Sequence, residues 1–191
     1  LRERTGAGIV NCKKALVEND SDIEKAIDFL REKGLAAAAK RAGRAAEQGI
    51  VGSYIHGGGK IGVLVEINCE TDFVARTEEF QQLLKDVAMQ VAAASPRCVR
   101  REEVSEAERE RERTVYRVQA EGSGKPANII EKIVEGKLEK FYSEACLLEQ
   151  TFIRDSSKTL EQVVRDAVTR TGENIVVHRF ARFQIGEAGT V

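Results

Sequence analysis

A β-rich apolar run at residues 61–67 stops abruptly at Asn68, and a helical pattern begins shortly after it. Thr71 and Asp72 are both good N-cap residues for that helix. A strand end, a turn and a helix start are thus fixed within Glu66-Ile67-Asn68-Cys69-Glu70-Thr71-Asp72-Phe73-Val74-Ala75-Arg76. Upstream, Gly57-Gly58-Gly59 separates this run from a second β-rich run at residues 50–56, the pattern of a hairpin. Phe73 then falls in the first helical turn beside a carboxylate. Its ring either tucks back into the core or is pushed out at a partner, and residue types alone leave both open.

The remaining periodicity is mostly helical. Residues 1–34 read as a compact three-helix module. Thr5-Gly6-Ala7-Gly8 breaks an opening helix, Ile9, Cys12, Ala15 and Leu16 follow at helical spacing, and Ser21 with Glu24 forms a capping box. Ile23, Ala26, Ile27 and Leu30 make the next apolar stripe, and Gly34 is expected to end that helix. Residues 35–48, with Lys40-Arg41-Ala42-Gly43-Arg44, form a basic, Ala-rich helical linker, either a solvated spacer or a contact surface. Residues 49–191 form the core domain. After the hairpin, a helix from about Glu78 carries Phe80, Leu83, Leu84, Val87, Ala88 and Val91 inward and closes at Ser95-Pro96. Residues 102–120 are helical, with Val104, Ala107, Val115 and Val118 at helical spacing and Glu/Arg pairs along the surface. Gly122-Ser123-Gly124-Lys125-Pro126 is a break. Residues 129–141 and 159–169 are two more amphipathic helices, and 175–185 alternates as a strand with Ile175, Val177, Arg179, Ala181, Phe183 and Ile185 on one face. The order β-β-α(n)-β predicts an α+β fold with helices layered on one antiparallel sheet.

Several kinds of chemistry find little support. The chain has 191 residues and a formal net charge of −1, without the basic excess of a polyanion binder, so no direct nucleic-acid partner is expected. No apolar run approaches a transmembrane length and no signal peptide is recognisable, so no membrane partner is expected. The chain opens on Leu1 rather than Met, which leaves open that it was cut from a longer polypeptide. Only two His are present, His56 and His178, and the four Cys (Cys12, Cys69, Cys98 and Cys146) show no metal-ligand spacing. No metal site is expected, and the thiols read as reduced, small hydrophobes. No catalytic residue stands out, and no Ser occupies a nucleophile elbow. His56-Gly57-Gly58-Gly59-Lys60 is flanked by strands and lacks the following helix of a phosphate cradle, so no nucleotide or other cofactor is expected to bind this chain.

The segment 66–76, together with Leu1-Arg2-Glu3-Arg4-Thr5-Gly6-Ala7-Gly8-Ile9-Val10-Asn11-Cys12-Lys13-Lys14-Ala15-Leu16, resembles the two long signatures of the translation elongation factor Ts family. The resemblance spans residues 1 to about 186 and is to the short form of the family, with one core unit. It implies a guanine-nucleotide exchange factor for elongation factor Tu in protein biosynthesis, acting without covalent chemistry. It implies a ubiquitin-associated-like fold for the N-terminal module. It also implies that Asp72 and Phe73, with Thr71 beside them, project as an exposed tip near the partner's magnesium site. Binding roles carry over to Arg2, Ile9, Val10, Cys12 and Lys13, and to Arg41, where relatives usually hold Lys. Weaker matches are His56, in Tyr54-Ile55-His56, and Thr171 and Gly172, in Thr171-Gly172-Glu173-Asn174. A single core unit implies a homodimer through the core. Ala181 stands where some short relatives carry a Cys, which excludes a disulfide there. The expected location is the cytoplasm, or an organelle interior if the chain is excised from a longer one. Two other readings stay open: a non-exchanging domain of a longer ribosome-associated protein, and a thiol-dependent enzyme using Cys69 or Cys146.

Overall fold

A computed structural model describes residues 1–5, 7–122 and 124–187. Gly6 and Ser123, each within a predicted break, lie outside the described residues. The chain is α+β, mixing helices with an antiparallel sheet. In order it forms α1 (Arg2–Thr5), α2 (Ile9–Glu18), α3 (Ile23–Arg41), β1 (Gln48–His56), β2 (Ile61–Cys69), α4 (Asp72–Ala75) and α5 (Glu78–Ala94). Then follow α6 (Glu106–Glu121), α7 (Ala127–Ala145), β3 (Thr151–Phe152), β4 (Asp155–Thr159), α8 (Leu160–Thr171) and β5 (Ile175–Gln184). One sheet has the order β1-β2-β5, and β3 pairs with β4 in a separate antiparallel ribbon.

The described residues divide into two compact units. One comprises Leu1–Val51, Glu66–Leu84 and Gln162–Val177. The other gathers Gly52–Val65, Lys85–Glu161 and the described residues from His178 on.

In the first unit two predicted helix boundaries shift. Asp20 and Ser21 both take positive φ, so the cap of α3 falls to Asp22, whose side chain accepts from the Lys25 amide at 3.1 Å. Glu24 does not close a capping box with Ser21; its carboxylate pairs with Arg4 at 2.7 Å. Gly34 does not end the helix. It lies inside α3, where a Cβ would meet the Thr169 side chain of α8 at 3.2 Å. Thr169 also donates its hydroxyl to the Gly34 carbonyl at 3.3 Å. Close helix approach, rather than a C-cap, explains this glycine. The neighbouring alanines are strong helix formers, which carries α3 on to Arg41. The predicted linker helix is therefore the second half of α3.

The second unit holds a helical pair. Val134, Leu138, Phe141, Tyr142, Ala145 and Cys146 form a core cluster, with Val104, Tyr116 and Ile130 packed against it. Of the residues read at helical spacing, Val104 packs against the core cluster but Val115 and Val118 are exposed, while Ala120 is buried and Tyr116 partly so. The charges of α6 reach across as well as along it. Arg113 pairs with Glu135 at 2.9 Å and Arg117 with Glu131 at 3.0 Å.

The β3–β4 ribbon was not expected from the sequence, because apart from the buried Phe152 its residues are polar and do not alternate. Side-chain amides hold it instead of an apolar face. Buried Gln90 donates to Gln150 and to the Thr151 carbonyl, both at 3.1 Å, and accepts from the Ile153 amide at 2.9 Å. In β5 the inward apolar face ends early. Ile175 and Val177 are buried, but Phe183 and Ile185 are exposed. Arg182 is covered there instead, pairing with Glu187 at 2.8 Å.

Candidate functional site

Three local causes build the site. The first is the end of β2. Val63, Val65, Ile67 and Cys69 are buried, which holds the strand firmly up to its last residue. The Cys69 thiol then donates to the Thr71 carbonyl at 3.1 Å. The second is the cap. Thr71 is extended and accepts from the Val74 amide at 3.4 Å, so the predicted N-cap falls on Thr71 rather than Asp72. The third is brevity. The helix α4 has 4 residues and ends at once, since Thr77 begins a new cap by accepting from the Phe80 amide at 3.3 Å.

The result separates two phenyl rings. Phe80 is fully buried, whereas Phe73 is 78% exposed. Its neighbour Ala75 is buried, so the short helix is anchored on one side and offers Phe73 on the other. Asp72 pairs with Arg76 at 2.7 Å and keeps its carboxylate accessible.

The underside of this turn is tied to the segment after α8. Glu173 accepts from the Thr71 amide at 3.0 Å and from the Thr71 hydroxyl at 2.6 Å. Glu70 accepts from the Asn174 amide at 2.6 Å, and the Arg44 guanidinium lies 3.5 Å from it. The sequence offered Thr171-Gly172-Glu173-Asn174 only as a weaker match, with no link to residues 70–73, and gave Glu70, Glu173 and Asn174 no individual role. The turn needs Gly172, whose φ is +79°, and Thr171 turns its hydroxyl back to the Ala167 carbonyl at 2.8 Å. The signal missed was a pair of carboxylates, each flanking a helix boundary.

The N-terminal module shows a second apolar surface. Ile9 is 67% and Val10 is 80% exposed at the start of α2, while Ala15 of the same helix is fully buried. Arg2 and Lys13 are exposed, and Arg41 is half-buried. Cys12 is buried, with its thiol donating to the Ala7 carbonyl at 3.4 Å. His56 is in the other compact unit. It is exposed at the end of β1, with its ring stacked on Tyr54 and a 3.0 Å bond between the Tyr54 hydroxyl and Nδ1. The glycine run after it is a hairpin turn into β2, with the Lys60 amide donating to the His56 carbonyl at 3.1 Å.

The thiols are poorly suited to nucleophilic work. Burial pushes Cys69 and Cys98 up, and Glu173 adds to the effect on Cys69. Burial pushes Cys146 up to about 12. Thiolate is the reactive form, and these environments disfavour it. Among the described residues no group of His, Cys, Asp and Glu suits a metal ion, and no helix is long and apolar enough to cross a membrane.

Comparison with known proteins places this arrangement. The family model described as Elongation factor TS matches residues 11–187. The chain belongs to the elongation factor Ts family. It is 63% identical to elongation factor Ts of Desulforamulus reducens, over 98% of this chain and 86% of that relative. It is 60% identical to that of Caldanaerobacter subterraneus subsp. tengcongensis, over 98% of this chain and 94% of the relative. It is also 60% identical to that of Geobacter sulfurreducens, over 98% and 87% respectively. A place in translation elongation follows from membership of the elongation factor Ts family. The exposed tip at residues 71–76 falls within the residues that the family model matches.

Proposed function

We propose that this chain is a guanine-nucleotide exchange factor that acts on elongation factor Tu by offering Phe73 outward as a wedge. The observation that carries the reading is the exposure of that ring on a short, capped and anchored helix. A buried phenyl at this position would have left the chain without a wedge. Guanine nucleotide is held largely through its phosphates and their Mg²⁺. A ring that displaces the elements positioning that ion loosens the nucleotide without touching the base, and the Asp72 carboxylate perturbs the ion's surroundings. Ile9 and Val10, together with Arg2, Lys13 and Arg41, supply a second contact that holds the partner while the wedge acts. No bond is made or broken, so the chain works as a binding factor rather than an enzyme, in the cytoplasm. Release of fluorescent GDP from elongation factor Tu tests the reading. Wild type is expected to accelerate it strongly, and Asp72→Ala/Phe73→Ala to do so little while keeping its circular dichroism. Equal rates for the two proteins would remove the mechanism.

We also propose that two copies pair through the sheet. Ile55 of β1, Leu64 of β2 and Phe183 of β5, with Ile185 just past the end of β5, all belong to the second compact unit, and all four are exposed. Apolar side chains gathered in this way favour burial against a like surface. Phe183→Glu is expected to weaken self-association at least about tenfold, the equivalent of one lost apolar contact. Sedimentation equilibrium checks this; a monomeric wild type at tens of micromolar, or a variant that dimerises as well as wild type, contradicts it.

A further inference from the structure

The tip poses a mechanical problem. A helix of 4 residues has too few internal hydrogen bonds to hold its own direction. A wedge whose direction wanders transmits little force to what it enters. Its stiffness has to come from outside the helix, and the best-connected support is the segment that follows α8.

We infer that Glu173 is a positioning residue for nucleotide release. It fixes the direction of Phe73 by gripping Thr71, the residue that caps the helix carrying the ring. This rests on the reading of Phe73 as the wedge. The geometry is specific. One carboxylate oxygen accepts from the Thr71 amide at 3.0 Å, and the other accepts from the Thr71 hydroxyl at 2.6 Å. A hydroxyl has one proton and two lone pairs. Donating that proton to Glu173 leaves its oxygen to accept from the Val74 amide, at 3.4 Å. The short charge-assisted bond thus sets the rotor, and the rotor sets the cap. Phe73 sits between the capping residue and Val74, so its backbone is held at both ends.

The opposite exchange reinforces the first. Glu70 accepts from the Asn174 amide at 2.6 Å, and the Asn174 side chain donates to the Arg44 carbonyl at 2.8 Å. Each segment thereby offers a carboxylate to the other's backbone. Glu173 is delivered by the left-handed turn at Gly172, which leaves it little freedom of its own. The Glu173 charge also helps to keep the Cys69 thiol protonated, so that it donates to the Thr71 carbonyl at 3.1 Å.

Glu173→Gln keeps the shape and removes the second acceptor, placing an amide donor against one of the two Thr71 donors. Two measurements test the inference. The chain has no Trp, so Phe73→Trp gives a unique probe on an exposed site. In the free protein, Glu173→Gln is expected to lower the fluorescence anisotropy of Trp at position 73 by increasing its local motion. In GDP release, Glu173→Gln with Phe73 intact is expected to lower the saturating rate about tenfold, the effect of one charge-assisted hydrogen bond. The half-saturating concentration stays unchanged, because the α2 contact is untouched. A merely structural role would do the reverse, raising the half-saturating concentration as folded protein is lost and leaving the saturating rate alone. Glu173→Asp is expected to recover part of the rate, and Thr71→Val to match Glu173→Gln. Unchanged probe motion, an unchanged saturating rate, or unfolding of both Glu173→Gln and Thr71→Val overturns the inference. The probe measurement needs no partner, so it stands even if the wild-type chain fails to release GDP and the wedge reading falls.

Discussion

Phe73→Ala is expected to leave a fully folded protein whose affinity for nucleotide-free elongation factor Tu has dropped roughly 30- to 150-fold, about 2–3 kcal/mol. The ring is 78% exposed in the free chain, so removing it opens no cavity and breaks little internal packing. Its full apolar surface is available for burial in a partner, as for an aromatic hot spot. Stability is expected to change by less than about 0.5 kcal/mol, as for a surface substitution. Phe80→Ala supplies the opposite pattern. That ring is fully buried at the start of α5, so its loss is expected to cost about 3–5 kcal/mol of stability. Titration calorimetry against empty elongation factor Tu and urea denaturation of the free chain distinguish the two. A Phe73→Ala protein that unfolds easily would show that the ring belongs to the chain's own core. One that binds as tightly as wild type would remove it from the interface.

The second large effect is expected at the other apolar surface. Ile9→Asp/Val10→Asp should fold normally and bind elongation factor Tu roughly 30-fold more weakly or worse, from two lost apolar burials and two charges brought against an apolar patch. Gly8 precedes α2 with no side-chain cap, so carboxylates in its first turn favour the helix dipole and do not disturb the fold. The loss should appear as a raised half-saturating concentration in GDP release, with the saturating rate close to wild type. Phe73→Ala should instead lower the saturating rate, since the wedge acts after docking. If the double substitution changed neither parameter, the start of α2 would lie outside the interface.

The strand end, turn and short helix that carry Phe73 were legible because local rules set them, whereas residue types left the direction of the ring open. A β-rich run, a Thr cap and a helical pattern are read within one stretch of chain, and the structure follows them to within two residues, β2 running on to Cys69. The hairpin glycines and the helices α5, α7 and α8 were legible for the same reason. What could not be read depends on residues distant in sequence. Gly34 looks like a helix stop until Thr169 is beside it. Val115 and Val118 stand at helical spacing, but Tyr116 and Ala120 are the residues of α6 turned inward. The β3–β4 ribbon has one buried apolar residue, Phe152, and no alternation to betray it; buried Gln90 and Gln150 help to hold it in place. Glu173 was invisible as a support for Phe73 because nothing in local sequence pairs position 71 with position 173. In each case propensity gave the local state, and tertiary contact decided the role.

The account's core is that this chain and guanine nucleotide oppose each other on elongation factor Tu. Thermodynamic linkage makes that measurable without any kinetics: nucleotide must weaken the chain's binding by the same factor by which the chain weakens nucleotide binding. The decisive measurement is the affinity of the wild-type chain for elongation factor Tu, empty and saturated with GDP. Empty partner is expected to be favoured by several thousandfold, about 5 kcal/mol, and Phe73→Ala is expected to reduce that ratio sharply. Equal affinity for the two forms would contradict it.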